Sequence, residues 1–342
     1  MNFLHGGILK KFMKNLWKTN LKPALRTVKA KLIGEAWKDQ IRPIEWYNLP
    51  FWIQYTFSED WQHYKPKDRP LSAERLKRFI FPNLEKPIFI FGSPRSGTTF
   101  LGNCIAEIPE ISYHFEPVLT KAAARYIYTN QWDKNQAKAF YKRVYSWLLR
   151  IHLNGDLRLA EKTPRNCFVL PFLYETFPDA RFIHIIRDGR DASISLAKRP
   201  WYRNDMRGSG AKDPGGYPFG PIARFWVEPD RIEEFETTND VHRCMWLWRR
   251  YLEEASAGAA QLPTDQYYEL RYEDLVTNPQ EESERLLDFL EIKNTESRSK
   301  FCEFVTKKAK ADSMGGWQAE LSEEQVQQLE KEAGNWLSKL GY

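Results

Sequence analysis

The feature that most constrains this chain is a short apolar run followed at once by a glycine-bounded loop. PIFIF, at positions 87–91, combines β-branched and aromatic residues and stops at Gly92, which predicts a buried strand. A turn from Gly92 to Gly97 and a helix over 98–107 are predicted to follow. Backbone N–H groups of such a turn, with the positive end of the next helix, form a ready anion site. The residues predicted to bind a phosphate-like group are Ser93, Pro94, Arg95, Ser96, Gly97, Thr98 and Thr99.

The cation of this loop is not where a kinase needs it. A nucleotide kinase or NTPase carries GxxxxGK[ST], because the lysine after the second glycine reaches the β and γ phosphates. Here Thr98 takes that position, and the cation is Arg95, inside the loop. The loop therefore suits a donor with one 5′-phosphate and one transferable anion better than a triphosphate with magnesium, and no metal is implied.

A second anion site is predicted after another buried strand. RFIHII, at 181–186, leads into RDGRDASIS, so Arg187 ends a strand and Ser195 lies two turns into the next helix. A guanidinium and a hydroxyl can then surround one phosphate, and arginine is suited to bidentate phosphate contacts. Arg190 and Asp191 are interpreted as helix-start residues that pair locally.

Alternation of strands and helices predicts the fold class. Strands are predicted over 157–160, 181–186 and 266–271, and helices over 166–176, 188–198, 242–257, 280–290 and 322–340. This order favours an α/β fold with a P-loop-like central parallel sheet flanked by helices. We expect a helical and aromatic-rich extension at 1–84 and one domain at 85–342. The stretch over 198–240, which is dense in Gly, Pro, Trp and Arg, is predicted to be a functional lid or disordered. Its aromatic residues and arginines between Trp201 and Trp226 are predicted to form a lid over the acceptor or irregular core packing.

The positive charge of the chain is concentrated at its start. The formal net charge is +6, but residues 1–42 alone hold ten Lys or Arg against Glu35 and Asp39, so the remainder is close to neutral. Apolar residues recur there at helical spacing, which predicts a basic amphipathic helix that lies on an anionic membrane through residues 1–40, or packs on its own domain or a subunit. Widely spaced cysteines, and no apolar run long enough for a signal peptide or membrane span, favour a reduced, cytoplasmic location. No nucleic-acid partner is expected.

PRSGTTF after an apolar strand resembles the 5′-phosphosulfate loop of the sulfotransferase family, in the arginine-containing version of carbohydrate and protein-tyrosine sulfotransferases. The spacing of Arg187 and Ser195 matches the pattern by which that family holds the 3′-phosphate of its donor. The resemblance runs from about residue 86 to the end and implies 3′-phosphoadenosine-5′-phosphosulfate (PAPS) as co-substrate. The segment over 315–342 resembles the C-terminal segment of bacterial members, so Trp317 stacks on adenine or belongs to the core.

Candidate catalytic residues follow from the chemistry and from the resemblance. Charge builds on the bridging oxygen as the nucleotide leaves, so nearby cations stabilise the transition state. These are Arg95 and Lys162, the latter in EKTPRN, which resembles a segment of glycan sulfotransferases. Glu116 in SYHFEP matches the position of a catalytic glutamate in the family, and a partly buried carboxylate with a raised pKa can act as the base. His114 is the second candidate base and Glu161 the third.

Two other functions remain open at this stage. A P-loop nucleotide or small-molecule kinase would use the same scaffold for another reaction. A nucleotide-binding or membrane-attached scaffold would keep the fold without transfer. The acceptor is expected to be a hydroxyl or amine compound, with a carbohydrate as one candidate.

Overall fold

The computed structural model describes Thr56, Asp60 and residues 63–211, 217–309 and 314–342. The amphipathic helix predicted within residues 1–42 lies outside the described residues, as does the first part of the extension that follows it. Across the described ranges, none of the helices is both long and apolar enough to cross a bilayer.

Within the described residues, five parallel strands form the centre of the fold. They are β1 (Ile88–Phe91), β2 (Ile111–Phe115), β3 (Arg158–Lys162), β4 (Arg181–Ile186) and β5 (Tyr267–Arg271). Their order across the sheet is β2-β3-β1-β4-β5, and all neighbours are parallel. The predicted α/β class with a central parallel sheet is confirmed.

Helices connect the strands and cover the sheet. In the described ranges they are α1 (Ala73–Ile80), α2 (Thr98–Ile105), α3 (Val118–Tyr128), α4 (Lys134–Ile151), α5 (Leu170–Thr176), α6 (Gly189–Ala197), α7 (Ile232–Thr237), α8 (Asp240–Ala259), α9 (Tyr272–Thr277), α10 (Pro279–Phe289), α11 (Thr295–Lys308), α12 (Trp317–Glu320) and α13 (Glu323–Leu340). A 3-10 turn, Pro164–Phe168, joins β3 to the region of α5.

Strand β1 lies at the centre of the sheet and is buried on both faces. Ile88 and Ile90 belong to the core that α2, α10 and α11 form with the sheet. Phe89 points to the other face, where its ring lies 5.9 Å from that of Tyr145 and 5.6 Å from that of Phe177. A strand covered on both faces needs a continuous apolar run, which explains why IFIF shows no alternation.

Predicted elements agree with the structure where the apolar signal is continuous. Strand β4 has the predicted bounds, whereas the strand predicted over 157–160 extends to Lys162. The helix predicted over 166–176 is divided into the 3-10 turn and α5. Strand β2 and helices α3, α4 and α11 were not predicted.

The long connection between α6 and α8 is fixed to the domain by one buried arginine. Arg243 on α8 is fully buried, and its guanidinium donates to the carbonyl oxygens of Tyr202 and Phe235, each at 2.9 Å. Tyr202, Arg224 and Trp226 are also buried, which agrees with the core packing predicted between Trp201 and Trp226.

Strands β1 and β4 are neighbours in the sheet. After β1 the chain continues toward one edge of the sheet, and after β4 it continues toward the other edge. From β1 the chain crosses to β2, and from β4 it continues to β5, on the other side. Ligands of open parallel sheets bind at such a point, outside the carboxyl ends of the strands. The two predicted anion-binding segments begin at these two strand ends.

Gly92 is required at the end of β1, which gives a direct test of this packing. It has φ +147°, and a Cβ atom there would lie 2.2 Å from the backbone oxygen of Ile185 on β4. We expect Gly92→Ala to lower the free energy of unfolding by about 2 to 5 kcal/mol, since backbone strain and overpacking act together. Gly208 also has positive φ but nothing within 4 Å of its Cβ position, so Gly208→Ala should cost only about 1 kcal/mol. Urea unfolding of both variants measures the difference, and equal losses would contradict it.

Candidate active site

The loop after β1 has the backbone conformation of an anion cradle. Gly92, Arg95 and Gly97 all have positive φ, and the Gly97 conformation starts α2 directly at Thr98. A Cβ atom at Gly97 would lie 2.5 Å from the Tyr272 ring, so that position accepts only glycine. The hydroxyl of Ser96 is buried and has no hydrogen-bond partner among the described residues. A buried hydroxyl without a partner fits a loop that receives a polar ligand.

The strand end after β4 comes into contact with this loop. Arg187 is buried; it donates to the backbone oxygen of Arg95 at 3.1 Å, and its guanidinium lies 5.0 Å from the centre of the Tyr272 ring. The Nε of Arg95 in turn donates to the Oγ of Ser195 on α6 at 3.0 Å. The two segments predicted as separate anion sites are therefore parts of one site.

One cavity of about 470 Å³ contains both segments. Its lining includes predicted residues from the first loop and from the β4 end: Arg95, Gly97, Thr98, Thr99, Arg187 and Ser195. The size is within the usual range of small-molecule sites.

The cavity is electropositive. Burial, together with the neighbouring guanidiniums of Arg199 and Arg187, lowers the pKa of Arg95, although arginine stays protonated in proteins. In the described part of the chain Arg95 forms no ion pair, and its side chain contacts the neutral hydroxyl of Ser195. Arg187 lies 3.8 Å from Asp191, so one carboxylate offsets only part of this positive charge, and the remainder favours an anionic ligand.

The segment at 315–317 is fixed to α6 beside the cavity. Asp191 accepts hydrogen bonds from the backbone N–H groups of Gly315 at 2.7 Å and Trp317 at 3.1 Å. Arg190 pairs with Asp188 at 2.7 Å and stacks on Trp317 at 3.9 Å. Asp191 also lies 3.8 Å from Arg187, so Arg190 and Asp191 both pair locally at the start of the helix, as predicted, and Asp191 in addition binds the C-terminal segment. This segment contributes Gly316 to the cavity lining, whereas the half-buried ring of Trp317 packs against Arg190.

Lys162 and Glu116 form an ion pair next to the first loop. Lys162, at the end of β3, donates to Thr99 Oγ1 at 3.1 Å and also to Glu116. Glu116 follows β2 with φ +41°, and Lys121 on α3 binds its second oxygen. Burial acts to raise the pKa of Glu116, but the charges of Lys121 and Lys162 outweigh it and hold the pKa well below its usual range. The predicted raised pKa is wrong for Glu116, because the sequence did not show that Lys121 and Lys162 both bind its carboxylate.

His114 is not placed to act as a base. It is fully buried; Nδ1 lies 2.9 Å from Asp60, and Nε2 lies 3.1 Å from the hydroxyl of Ser112. Both ring nitrogens are thus engaged away from the cavity. The hydroxyl of Thr56 accepts a hydrogen bond from the backbone N–H of Leu119 at 3.2 Å. Two residues that precede the first strand, Thr56 and Asp60, therefore hold the chain just before and just after Glu116. The structure gives His114 a positioning role in place of the predicted chemical one.

Glu161 is the carboxylate whose pKa is raised. It is fully buried on β3 and accepts hydrogen bonds from Thr163 and from Asn166 Nδ2, the latter at 2.7 Å. Burial raises its pKa to about 7, although both hydrogen bonds oppose the shift. With both oxygens occupied inside the core, Glu161 cannot approach an acceptor in the cavity.

Comparison with known proteins identifies the family. Residues 87–296, more than half of the chain, match the model of the sulfotransferase family. The chain belongs to this family. The protein is accordingly a sulfotransferase, and sulfuryl transfer replaces the kinase and scaffold alternatives.

Its relatives include tyrosine-modifying enzymes. Protein-tyrosine sulfotransferase A of Caenorhabditis elegans is 24% identical over 221 residues, 60% of this chain and 50% of that protein. The protein-tyrosine sulfotransferase of Drosophila melanogaster is 23% identical over 242 residues, 66% of this chain and 42% of that protein. The sulfotransferase thus spans half or less of the length of these two relatives.

A solved structure shows the same fold. Sulfotransferase STF9 from Mycobacterium avium is similar with a TM-score of 0.50 and 14% identity, over 78% of this chain and 79% of that one. At this identity the likeness concerns the fold alone.

Three contributors to the sulfotransferase site had no local signal in the sequence. Lys121 was not predicted, because its contact with Glu116 depends on the turn between β2 and α3. Asp60 acts on His114 from a distant segment. Tyr272 lies under both Gly97 and Arg187, and it directly follows the strand that was predicted over 266–271.

The raised pKa of Glu161 predicts a pH-dependent stability. Its pKa is about 7 in the folded state against 4.5 for the ordinary group, so the folded state binds more protons in that interval. Stability therefore falls as pH rises through it, by about 3 kcal/mol in total. Glu161→Gln should remove this dependence on pH. As pH rises from about 4 to about 8, the free energy of unfolding of the variant should increase by about 3 kcal/mol relative to that of wild type.

Urea unfolding across this pH range measures the slope. Glu269→Gln is the matched control, since that carboxylate on β5 is 49% exposed. Parallel curves for wild type and Glu161→Gln would contradict a buried carboxyl that ionises near neutral pH.

Proposed function

We propose that this sulfotransferase transfers a sulfuryl group from PAPS to a hydroxyl or amine of an acceptor. The observation that carries the proposal is the hydrogen bond between Arg95 and Ser195, which unites two anion-binding segments in one cavity. A donor phosphorylated at both the 3′ and 5′ positions needs two such segments within the reach of one nucleotide. Bound there, the donor supplies the activated sulfuryl group.

Each segment is assigned to one end of the donor. The backbone of residues 93–97, with the hydroxyls of Thr98 and Thr99, receives the 5′-phosphosulfate. Arg187 and Ser195 receive the 3′-phosphate. Arg187 is already oriented by its bond to the Arg95 carbonyl, and a preorganised guanidinium loses little entropy when it binds phosphate. The segment at 315–317, fixed by Asp191, lies beside the nucleotide.

Lys162 and Arg95 are proposed to stabilise the leaving nucleotide. Negative charge increases on the bridging oxygen during transfer, and cations in a water-poor site are most effective against such charge. Lys162 is fully buried and reaches the loop through Thr99. Arg95 lines the cavity itself.

Glu116 is proposed as the base that takes the proton of the acceptor. With Lys162 and Lys121 both bound to it, the carboxylate is a weak base. An anion on the loop draws Lys162 away from Glu116, and the loss of one positive neighbour raises the pKa of the carboxylate. Arrival of the donor thereby activates the base, so the acceptor is deprotonated only when a sulfuryl group is present.

The side of the site beyond Lys121 favours an acceptor with an anionic group. Three guanidiniums surround the ring of Tyr217, those of Arg125, Arg165 and Arg224, at 5.3, 5.6 and 4.5 Å. Arg165 also donates to the backbone oxygen of Lys121 at 3.4 Å, which connects this group to Glu116. Arg224 is 4% exposed, and its Nε and Nη1 have no hydrogen-bond partner among the described residues. An acidic tyrosyl peptide, suggested by the names of the relatives, and an acidic carbohydrate both fit this chemistry.

The donor assignment is tested by calorimetry with the desulfated donor, 3′-phosphoadenosine-5′-phosphate, and with ATP, both in EDTA. We expect the bisphosphate to bind more tightly than ATP. Ser195→Ala should weaken the bisphosphate about tenfold, since a hydrogen bond to a charged group is lost, and should leave AMP binding unchanged. Ser193→Ala is the matched control, because that hydroxyl lies on the same helix against Met245. Preference for ATP, or an equal effect of Ser195→Ala on AMP, would contradict the assignment.

The base is tested with Glu116→Gln in a sulfate-transfer assay at saturating donor. We expect kcat to fall about 100-fold or more, the usual contribution of a general base, with little change in bisphosphate affinity. Glu107→Gln, which removes another lysine-paired carboxylate outside the cavity, is the control and should retain activity. Full turnover by Glu116→Gln would remove the role from this residue.

A further inference from the structure

Helix α1 is oriented opposite to an ordinary amphipathic surface helix. Its one buried residue is Arg75, which is 7% exposed. The guanidinium of Arg75 donates to the carbonyl oxygens of Arg69, Pro70 and Leu153, at 2.6, 2.8 and 3.2 Å. A buried, hydrogen-bonded arginine therefore holds α1 to the domain, and the apolar side of the helix is left in water.

The exposed apolar side is large. Leu76, Ile80 and Phe81 are 57%, 60% and 69% exposed, and Phe79 is 43% exposed. Leu71 and Leu76 stand at the N′ and N4 positions around the Ser72 cap, where a hydrophobic staple forms. Single exposed apolar residues are normal, but a contiguous group of large ones marks an interaction surface.

Helix α4 extends this surface. Arg150 donates to the backbone oxygens of Phe79 and Ile80, at 2.9 Å each, and lies 5.2 Å over the ring of Trp147. Trp147 is itself 48% exposed. Arg150 thus links the exposed apolar residues of the two helices, which together are called the apolar patch: Leu71, Leu76, Phe79, Ile80, Phe81 and Trp147.

Positive charge surrounds the apolar patch. Lys77 and Arg78 lie on α1 among the apolar residues, and Arg143 lies one helical turn before Trp147 on the exposed side of α4. Together with Arg150, which contacts both helices, these residues form a basic rim around the patch. One carboxylate on these turns, Glu74, pairs with Arg78. Tryptophan and phenylalanine side chains surrounded by basic residues are typical of protein surfaces that bind anionic membranes.

We propose that the apolar patch docks the enzyme onto an anionic lipid surface. Three occupants of the apolar patch can be compared by their charge: residues 1–42 of this chain, a second copy of the chain and an anionic bilayer. Residues 1–42, with ten basic residues and two acidic ones, would be repelled by the basic rim. A second copy of the chain would place like charges opposite one another around the patch. An anionic bilayer receives the apolar side chains and the rim cations together, and the acceptor then meets the enzyme at the membrane surface.

The test is co-sedimentation of the full chain with vesicles of phosphatidylcholine alone or mixed with phosphatidylserine. We expect binding to the mixed vesicles only. The double variant Phe79→Ser, Ile80→Ser should lose binding about tenfold or more, since it removes two interfacial apolar groups. Ile232→Ser, which changes an apolar residue on α7 that is 42% exposed, should bind as wild type. Arg143→Glu should weaken binding, whereas Lys307→Glu on α11 should not.

Each other result overturns the proposal. Equal binding by wild type and the double variant would place the lipid contact elsewhere, and equal binding to both vesicle types would remove the requirement for anionic lipid. Absence of wild-type binding would also overturn it. A wild-type dimer in light scattering that the double variant converts to a monomer would assign the patch to a second copy. Unfolding midpoints equal to wild type establish that the variants are folded.

Discussion

The contact between the loop after β1 and the residues after β4 is the interaction on which the site depends. β1 and β4 are hydrogen-bonded neighbours, so the chain segments that follow them begin side by side. Arg187 binds the backbone of Arg95, and Arg95 reaches back to Ser195. Two guanidiniums are thereby held close together in a partly buried space. Asp191, which lies 3.8 Å from Arg187, balances one of these two charges, and an anion bound in the cavity would balance the other.

The second electrostatic feature of the site is the ammonium group of Lys162, which contacts both the loop and Glu116. Lys162 contacts the loop hydroxyl of Thr99 and the carboxylate of Glu116. In the proposed mechanism this shared ammonium group couples the anion site to the base, since it cannot neutralise both equally. Lys121 contacts the same carboxylate but not the loop, so it keeps part of the charge balance when Lys162 moves. This division of roles needs residues from three separate chain segments.

The sequence predicted those parts of the site that lie within one chain segment. It did not predict the contacts between residues that are far apart in the chain. Strand β4 was predicted with its observed bounds because RFIHII is a continuous apolar run. β2 was not predicted, since ISYHF includes Ser112 and His114, which are buried only because Asp60 and their neighbours supply hydrogen bonds. The pKa of Glu116 was expected in the wrong direction, because its two ion pairs, with Lys121 and Lys162, depend on how the chain folds at the ends of β2 and β3.

The strand order also constrains how the protein is made. β1 is an early strand, yet it lies between β3 and β4, and Ile88 pairs in register with Ala160 on one side and Arg181 on the other. During synthesis the apolar β1 therefore has no strand partner until residues 158–162 of β3 have left the ribosome, and its second neighbour, β4, follows only with residues 181–186. Parallel pairings between distant residues form slowly and leave aggregation-prone edges exposed. The candidate site, which joins the segments after β1 and β4, is therefore complete only late in folding, when the central strands have paired.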